Sequence, residues 1–239
     1  MATLKIVEIF GPTFQGEGAL IGRPTIFVRF GGCDYRCSWC DTMYAVDPRM
    51  ADTWTTMDEE EILARVNDLG GGLPQLVTLS GGNPAIYDLT GLIQLGHQEG
   101  HQFALETQGS VPRKWFSDCD YVTLSPKPPS SGQPFNRERF NRCIQDSLGS
   151  AVSIKIPLLD QQDLEFAARV RGLYPHLPMI VQPVNLTLDA GKVGEDLHRL
   201  SLLDGLTQLA RDVLGRQDLL GVQVLPQLHV LMWGNKRGV

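Results

Sequence analysis

Cys33, Cys37 and Cys40 fall within eight residues of one another, in the run Gly-Gly-Cys-Asp-Tyr-Arg-Cys-Ser-Trp-Cys-Asp-Thr that spans positions 31–42. A loop that short can turn three thiolates toward one centre, but it cannot pack a core around them. Soft sulfur donors select iron–sulfur clusters, zinc or copper(I) over hard cations. A [4Fe–4S] cube ordinarily takes four cysteines. Three would leave one iron open to an outside ligand, which is what would make the loop chemical. The competing readings are a zinc knot completed by a fourth protein ligand, and unrelated thiols. Structural zinc is four-coordinate and usually reads as two separated ligand pairs. Here the nearby oxygen donors are Asp34 and Asp41, and the first histidine is His97. Ligand type and spacing favour the cluster. Cys119 and Cys143 stand alone and read as small buried hydrophobes.

Other chemistry-bearing residues are scattered. Ser80-Gly81-Gly82-Asn83-Pro84 removes side chains where a ligand could approach bare backbone; its simpler reading is a tight turn. Glu17 stands between Gly16 and Gly18, which leave its carboxylate unshielded; a solvated loop glutamate is the plain alternative. Arg29 shares a strand face with Thr25 and Phe27, and a buried arginine needs a carboxylate or phosphate. It could pair with Glu8 or Glu106, or clamp an anionic substrate. Lys127 and Lys155 pose the same choice between ion pair and ligand contact. His229 lies in an apolar run, Leu225-Pro-Gln-Leu-His-Val-Leu-Met-Trp, as core histidines do.

The elements that must position these residues alternate apolar runs with amphipathic stretches, the pattern of βα units around a mostly parallel sheet. Strands are predicted over Leu4–Phe10, Thr25–Phe30, Gln75–Ser80, Gln102–Glu106, Tyr121–Ser125, Val152–Ile156 and Met179–Gln182. Thr56 followed by Glu59 predicts a capping box ahead of a stripe of Ile62, Leu63, Val66 and Leu69. Asp160 precedes a second helix carrying Leu164, Ala167, Ala168 and Arg171, and a third is expected over about Glu195 to Leu214. The Pro- and Ser-rich stretch Ser125–Pro134 reads either as a linker or as a loop at the site. Such a series suggests a barrel or an open, partial barrel, with function at the carboxyl ends of the strands. The cysteine loop, Gly81-Gly82, Thr107-Gln108-Gly109 and Pro126-Lys127 each follow a predicted strand. They therefore belong to one face.

The chain has 239 residues, 42% hydrophobic and 20% charged, with net charge −6. That composition is ordinary for a globular protein and excludes fibrous and disordered classes. The acidic balance argues against a broad nucleic-acid or anionic-membrane surface. No stretch approaches membrane-spanning length and no leader-type segment opens the chain, so the cytoplasm is expected, where exposed thiols stay reduced. A single domain over 1–239 is expected.

Taken together, the motifs resemble those of a known family. The Cys-x₃-Cys-x₂-Cys spacing, an aromatic residue before the last cysteine and a later Gly-Gly turn resemble the radical S-adenosylmethionine (SAM) enzymes. More narrowly, Glu8-Ile-Phe-Gly-Pro-Thr-Phe-Gln-Gly-Glu-Gly18, Cys40-Asp-Thr42, Glu106-Thr-Gln-Gly109, Ser125-Pro-Lys127, Leu225-Pro-Gln-Leu-His229 and Lys236-Arg-Gly-Val239 resemble the 7-carboxy-7-deazaguanine synthases. The likeness runs from end to end.

The resemblance implies an α/β radical SAM fold, a partial TIM-type barrel, and a lyase of 7-deazapurine (queuosine-type) biosynthesis. Its reaction would contract 6-carboxy-5,6,7,8-tetrahydropterin to 7-carboxy-7-deazaguanine with loss of ammonia, starting from reductive cleavage of SAM and hydrogen abstraction at C6. Cys33, Cys37 and Cys40 would hold a [4Fe–4S] cluster whose fourth iron is chelated by SAM. Trp39, Cys40, Asp41, Gly82, Ser125, Pro126 and Lys127 would border SAM, with Gln182, Pro183, Val184 and Asn185 on its adenine side. Phe14, Gln15, Gly16, Glu17, Arg29, Ser80 and His229 would contact the pterin, and Thr42 would offer its hydroxyl to Mg²⁺. A flavodoxin or ferredoxin would be the electron donor, and the family suggests a homodimer.

Two departures stand out. Many radical SAM enzymes carry Gly-Gly-Glu-Pro, whose glutamate helps hold the SAM amino group; Asn83 stands there and can accept only through an uncharged carbonyl. The chain also continues past His229, so the substrate contact that shorter members make with their terminal carboxylate is not assigned to Val239. Two rival functions share part of the pattern. A radical SAM activase acting on a partner protein would have the cluster without Gln-Gly-Glu-Gly, and a zinc-stabilised binding module would be colourless when purified without oxygen.

Overall fold

In the computed structural model, residues 3–186 and 194–239 are described. Nine strands form one open sheet in the order β3-β1-β2-β4-β5-β6-β7-β8-β9. They are β1 (Leu4–Phe14), β2 (Pro24–Phe30), β3 (Thr55–Met57), β4 (Leu76–Gly81), β5 (Gln102–Thr107), β6 (Tyr121–Leu124), β7 (Ala151–Leu158), β8 (Met179–Pro183) and β9 (Gln223–Val224). From β2 to β9 every pairing is parallel. At the other end, β1 runs antiparallel to both β2 and β3. The edges do not meet, so the barrel is partial, as expected. All seven predicted strands form. The short edge strands β3 and β9 are additions, and β1 runs on to Phe14.

The helices are α1 (Met43–Val46), α2 (Glu59–Leu69), α3 (Thr90–Gln98), α4 (Arg137–Asp146), α5 (Gln161–Leu173), α6 (Glu195–Leu214) and α7 (Leu228–Trp233). The capping box of α2 is one correction to the sequence reading. Asp58, not Thr56, caps it: Asp58 Oδ1 accepts from the Glu61 amide at 2.9 Å, and Glu61 Oε2 accepts from the Asp58 amide at 2.9 Å. Thr56 lies in β3, where its hydroxyl takes the Lys5 ammonium at 2.7 Å. A strand that short carries no periodic signal of its own. Asp160 caps α5 as predicted, accepting from the Asp163 amide at 3.0 Å. The helix α3 contains Gly91 and Gly96, poor helix formers. A side chain at Gly96 would lie 2.4 Å from the Phe103 ring, so the glycine admits close packing of α3 on β5.

Strand alternation sorts side chains to two faces. Ile26, Val28 and Phe30 of β2, Val77 and Leu79 of β4, Phe103 and Leu105 of β5, Val122 and Leu124 of β6, and Ile154 and Ile156 of β7 join one hydrophobic core with the helices. The intervening residues turn inward and are mostly polar. Deepest are Thr25 and Thr78, both fully buried and joined at 2.8 Å, with Thr123 and Ser153 joined at 3.4 Å. Toward the carboxyl ends of the strands the same inward rows continue as Arg29, Ser80, Glu106 and Lys155. Period-2 patterning thus delivers four polar side chains from four strands into one cavity.

Candidate functional site

A cavity of about 450 Å³ lies at the carboxyl ends of the parallel strands, a size suited to small ligands. Its first wall is the cysteine loop after β2. That loop is pressed against the turn after β4 by backbone contacts. The Gly82 amide donates to the Phe30 carbonyl at 3.0 Å, and the Asn83 amide to the Gly32 carbonyl at 2.8 Å. A Cβ on Gly82 would come within 2.0 Å of the Gly32 oxygen, so only glycine permits this approach. The turn read from the sequence and the bare backbone expected for a ligand are the same feature.

Cys33, Cys37 and Cys40 are half-buried, free of disulfides and on the cavity wall. Burial raises all three thiol pKa values, Cys37 to about 11, with the Lys127 charge opposing the rise. A bound metal would deprotonate them outright. The loop is braced from behind. The Trp39 indole donates to Ser130 Oγ at 2.9 Å, the Ser38 hydroxyl donates to the Ser130 carbonyl at 2.7 Å, and Ser130 in turn donates to the buried carboxylate of Asp163 on α5. The Pro- and Ser-rich stretch is therefore a loop of the site and not a linker.

Asn83 departs from its expected task. It is fully buried and does not line the cavity. Its carbonyl accepts from Thr107 Oγ1 at 2.8 Å and from the Ala85 amide at 3.2 Å; its amide nitrogen donates to Asp34 Oδ1 at 2.8 Å. Gln108 donates to the same Asp34 oxygen at 2.7 Å and reaches Cys33 Sγ at 3.6 Å. A glutamate at 83 would face Asp34 as a like charge. Asparagine instead ties the cysteine loop to β5.

The floor opposite is an ionic network. Lys155 is buried and bonds to Glu17, and it lies 3.4 Å from Glu106 Oε1. Ser80 Oγ donates to Glu106 Oε2 at 2.8 Å, Gln15 Nε2 approaches Glu106 Oε1 at 3.5 Å, and Gln227 Nε2 donates to Glu17 Oε1 at 2.7 Å. Burial alone would raise the Glu17 pKa. The charges of Lys155 and His229 and the hydrogen bonds from Lys155 and Gln227 overcome it, holding the carboxyl well below its usual range. Burial would lower the Lys155 pKa, but Glu106 and Glu17 raise it further. Lys127 differs. It donates to Ser125 Oγ at 2.9 Å, has no carboxylate partner among the described residues, and is lowered by burial despite the nearby Cys37 thiol.

The third wall closes from the carboxyl-terminal segment. The Leu228 amide donates to the Gly16 carbonyl at 2.8 Å, and a side chain at Gly16 would overlap the His229 ring, 2.2 Å from Nδ1. Arg29 resolves to Glu8, not Glu106: Nε meets Glu8 Oε1 at 2.7 Å. The Tyr44 hydroxyl donates to that same oxygen at 3.2 Å, and Arg237 lies 3.6 Å over the Tyr44 ring. Residues 234–239 line the cavity mouth.

All seven residues expected at the pterin reach this one cavity, as do the three cysteines, Thr42 and every residue expected at SAM except Pro126. Pro126 is buried behind the wall, because its neighbours Ser125 and Lys127 turn inward. Among the described residues no three His, Cys, Asp or Glu side chains converge on one point as a single ion requires; a cube, which takes each thiolate on a different iron, does not need that. The donor set otherwise fits what was expected: three thiols, a bare glycine backbone beside them, and a buried Gln182 Oε1 with no protein partner. Thr42 lines the cavity with its Oγ1 3.6 Å from Cys40 Sγ; a magnesium there would take this one protein oxygen and complete its shell with water and substrate. Sequence reasoning missed Gln227, Gln108, Tyr44 and Arg237. Gln227, Gln108 and Arg237 stood in quoted motifs without an assigned role; Tyr44 meets the site through Glu8, 36 residues away, which no local pattern reveals.

Comparison with known proteins is consistent with this geometry. Residues 27–130 match the radical SAM superfamily. The chain is 42% identical to the 7-carboxy-7-deazaguanine synthase of Bacillus subtilis, across 99% of this chain and 98% of that one. It is 38% identical to the enzyme of the same name from Bacillus cereus, across the full length of both. A solved structure of QueE from Escherichia coli superposes with a TM-score of 0.62 at 26% identity, covering 88% of this chain and 91% of that one.

Proposed function

The chain belongs to the 7-carboxy-7-deazaguanine synthases of the radical SAM superfamily, and from that premise we propose which of its residues carry the reaction. The enzyme is a lyase that converts 6-carboxy-5,6,7,8-tetrahydropterin to 7-carboxy-7-deazaguanine with loss of ammonia, using a [4Fe–4S] cluster, SAM and Mg²⁺. The chemistry supplied by the bound cluster and SAM is one-electron cleavage of a sulfur–carbon bond and hydrogen abstraction from C6 of the pterin. Everything else is positioning, charge and exclusion of water.

Cys33, Cys37 and Cys40 hold the cluster. Gly82 meets the methionine part of SAM through bare backbone, Trp39, Cys40, Asp41, Ser125 and Lys127 border it, and residues 182–185 take the adenine. Pro126 acts only by shaping the backbone between Ser125 and Lys127. Asn83 braces the cysteine loop instead of holding the SAM amino group. Phe14, Gln15, Gly16, Glu17, Ser80 and His229 form the pterin side, joined by Glu106 and Lys155. Glu17, held ionised, accepts from the guanidine-like edge of the pterin. The guanidinium edge of Arg29 not used by Glu8 faces the substrate carboxylate. Thr42 gives one oxygen to Mg²⁺. The whole chain, 1–239, serves as one radical SAM domain.

The observation that carries this reading is the meeting of three free thiols and an inward Glu17–Lys155–Glu106 network in one cavity. The cysteine loop exposes Arg36 and Ser38, which supports electron delivery by a small carrier, a flavodoxin or ferredoxin. Among the described residues no helix is long and apolar enough to cross a membrane, and three neighbouring free thiols favour a reducing cytoplasm. Exposed Leu197, Leu200 and Leu203 on α6 support a homodimer, which light scattering at twice the chain mass would establish. The deciding assay incubates reduced, cluster-loaded enzyme with SAM, Mg²⁺ and carboxytetrahydropterin. The deazaguanine chromophore is expected, and its absence overturns the assignment.

A further inference from the structure

Gln227 stands at the N-cap position of α7, yet its side chain caps nothing there. It reaches instead across the cavity floor to Glu17. Gln227 is 8% exposed, and its Oε1 is buried without a hydrogen-bond partner. Leaving an amide oxygen buried and unpaired is costly, and native proteins keep few such groups without a reason. The amide cannot relieve the cost by flipping. An ionised carboxylate only accepts, so the nitrogen must face Glu17 and the oxygen must face elsewhere. Lys155 enforces that state by keeping Glu17 charged.

The chemistry of the expected substrate supplies the missing donor. In a 2-amino-4-oxo pyrimidine ring, N3–H and one hydrogen of the 2-amino group point the same way and suit a carboxylate taking both. The second amino hydrogen then has no partner. It leaves the ring beside the carboxylate, where the amide bonded to Glu17 Oε1 holds its oxygen. Resting on the functional reading above, we propose that Gln227 is a specificity-determining residue whose Oε1 accepts the remaining N–H of the pterin 2-amino group. The unpaired acceptor of the protein and the unpaired donor of the ligand then satisfy each other. Charged and titratable groups around this point are Glu17, Glu106 of β5, Lys155 of β7, Lys127 after β6 and His229 of α7; the proposal needs none of them to change protonation state.

The test is equilibrium binding to cluster-loaded enzyme with SAM and Mg²⁺ but no reductant, so that nothing turns over. Carboxytetrahydropterin is compared with the analogue whose 2-amino group is replaced by hydrogen. Wild-type enzyme is expected to prefer the pterin. Gln227→Met should weaken pterin binding about tenfold, one hydrogen bond's worth, and change analogue binding less than twofold. Iron content and SAM affinity should stay at wild-type levels. Equal losses for both ligands would mean that Gln227 only holds Glu17, and would overturn the proposal. So would a wild-type enzyme that binds both ligands equally, a result needing no variant. If wild-type enzyme neither binds nor converts the pterin, it is the functional reading that falls.

Discussion

The two sides of the cavity are built on opposite plans. The cysteine wall is local: three thiols from eight consecutive residues, held by backbone contacts to a glycine turn and by hydrogen bonds of Trp39, Asn83 and Gln108, with no ion pair among them. The pterin floor is assembled from residues 15, 17, 80, 106, 155 and 227 and held by charge. A metal brings its own bonding energy and needs mainly a loop that can adapt to it. The uncharged pyrimidine edge of the pterin brings little, so the protein must fix the acceptors for it beforehand, and an ion network does so in a site sheltered from water. The cofactor side tolerates an adaptable scaffold; the substrate side needs a stiff one.

If that contrast is right, damage to the two sides should separate cleanly. The largest effect is expected from Cys37→Ala. With two thiolates the cluster should not be retained, visible absorption and iron content should drop, and turnover should fall below detection. Floor variants should stay brown. A Cys37→Ala protein with full iron content would break the contrast at once.

Lys155→Met comes next. Removing the cation leaves Glu17 and Glu106 buried together without compensation, a loss of about 3–5 kcal/mol for a broken buried pair. That is a loss of stability in the folded site; the share felt at Glu17 should weaken substrate binding at pH 7 about 100-fold. The pH dependence carries the sign. In the wild type Glu17 sits far below its usual pKa, so its stabilising charge is present at every ordinary assay pH and is lost only in strong acid. In Lys155→Met the largest lowering influence is gone, burial dominates and the Glu17 pKa rises. Substrate affinity should then fall as pH drops and recover toward alkaline pH. Lys155→Arg should restore most of the affinity. An unmoved acid limb in Lys155→Met would show that the floor is not held by charge.

The same contrast explains what could be read from the chain beforehand. Cysteine spacing is a one-dimensional signal, and the wall was legible from it. Alternation along β2 set Arg29 on one face with Thr25 and Phe27, and Ser80, Glu106 and Lys155 fell in predicted strands, so part of the floor was legible too. Their pairing was not. Whether Arg29 meets Glu8 or Glu106 depends on β1 running antiparallel beside β2, which nothing local states. The task of Asn83 misled for a related reason: its motif neighbours suggested a ligand contact, while its partners Asp34, Thr107 and Ser110 lie 24–49 residues away. The Asp58 cap lay two residues past the predicted one because Thr56 was claimed by a strand three residues long.

Gly82→Ala sharpens the comparison from the cofactor side. The added methyl would sit 2.0 Å from the Gly32 carbonyl oxygen, and backbone cannot yield as a flexible side chain does. Overpacking of this kind costs about 1–3 kcal/mol. The strain falls on the loop that carries Cys33, so SAM affinity should weaken about 10- to 100-fold while the acid limb of pterin binding stays put. A Gly82→Ala enzyme with wild-type SAM affinity would show that the loop is looser than its contacts indicate.

The smallest effect is expected at Thr42, where the two sides meet. Its hydroxyl lies against Cys40 Sγ and would give one oxygen to a bound magnesium. Mg²⁺ keeps several waters and takes few protein ligands, so a water can replace one lost hydroxyl. Thr42→Ala should therefore raise the Mg²⁺ concentration for half-maximal rate only about three- to tenfold, with the maximal rate nearly recovered at saturation. Thr42→Ser, which keeps the oxygen, should titrate as wild type. Loss of maximal rate that excess Mg²⁺ cannot restore would instead assign Thr42 to the cysteine wall, through its contact with Cys40. An unaltered titration would remove it from both sides.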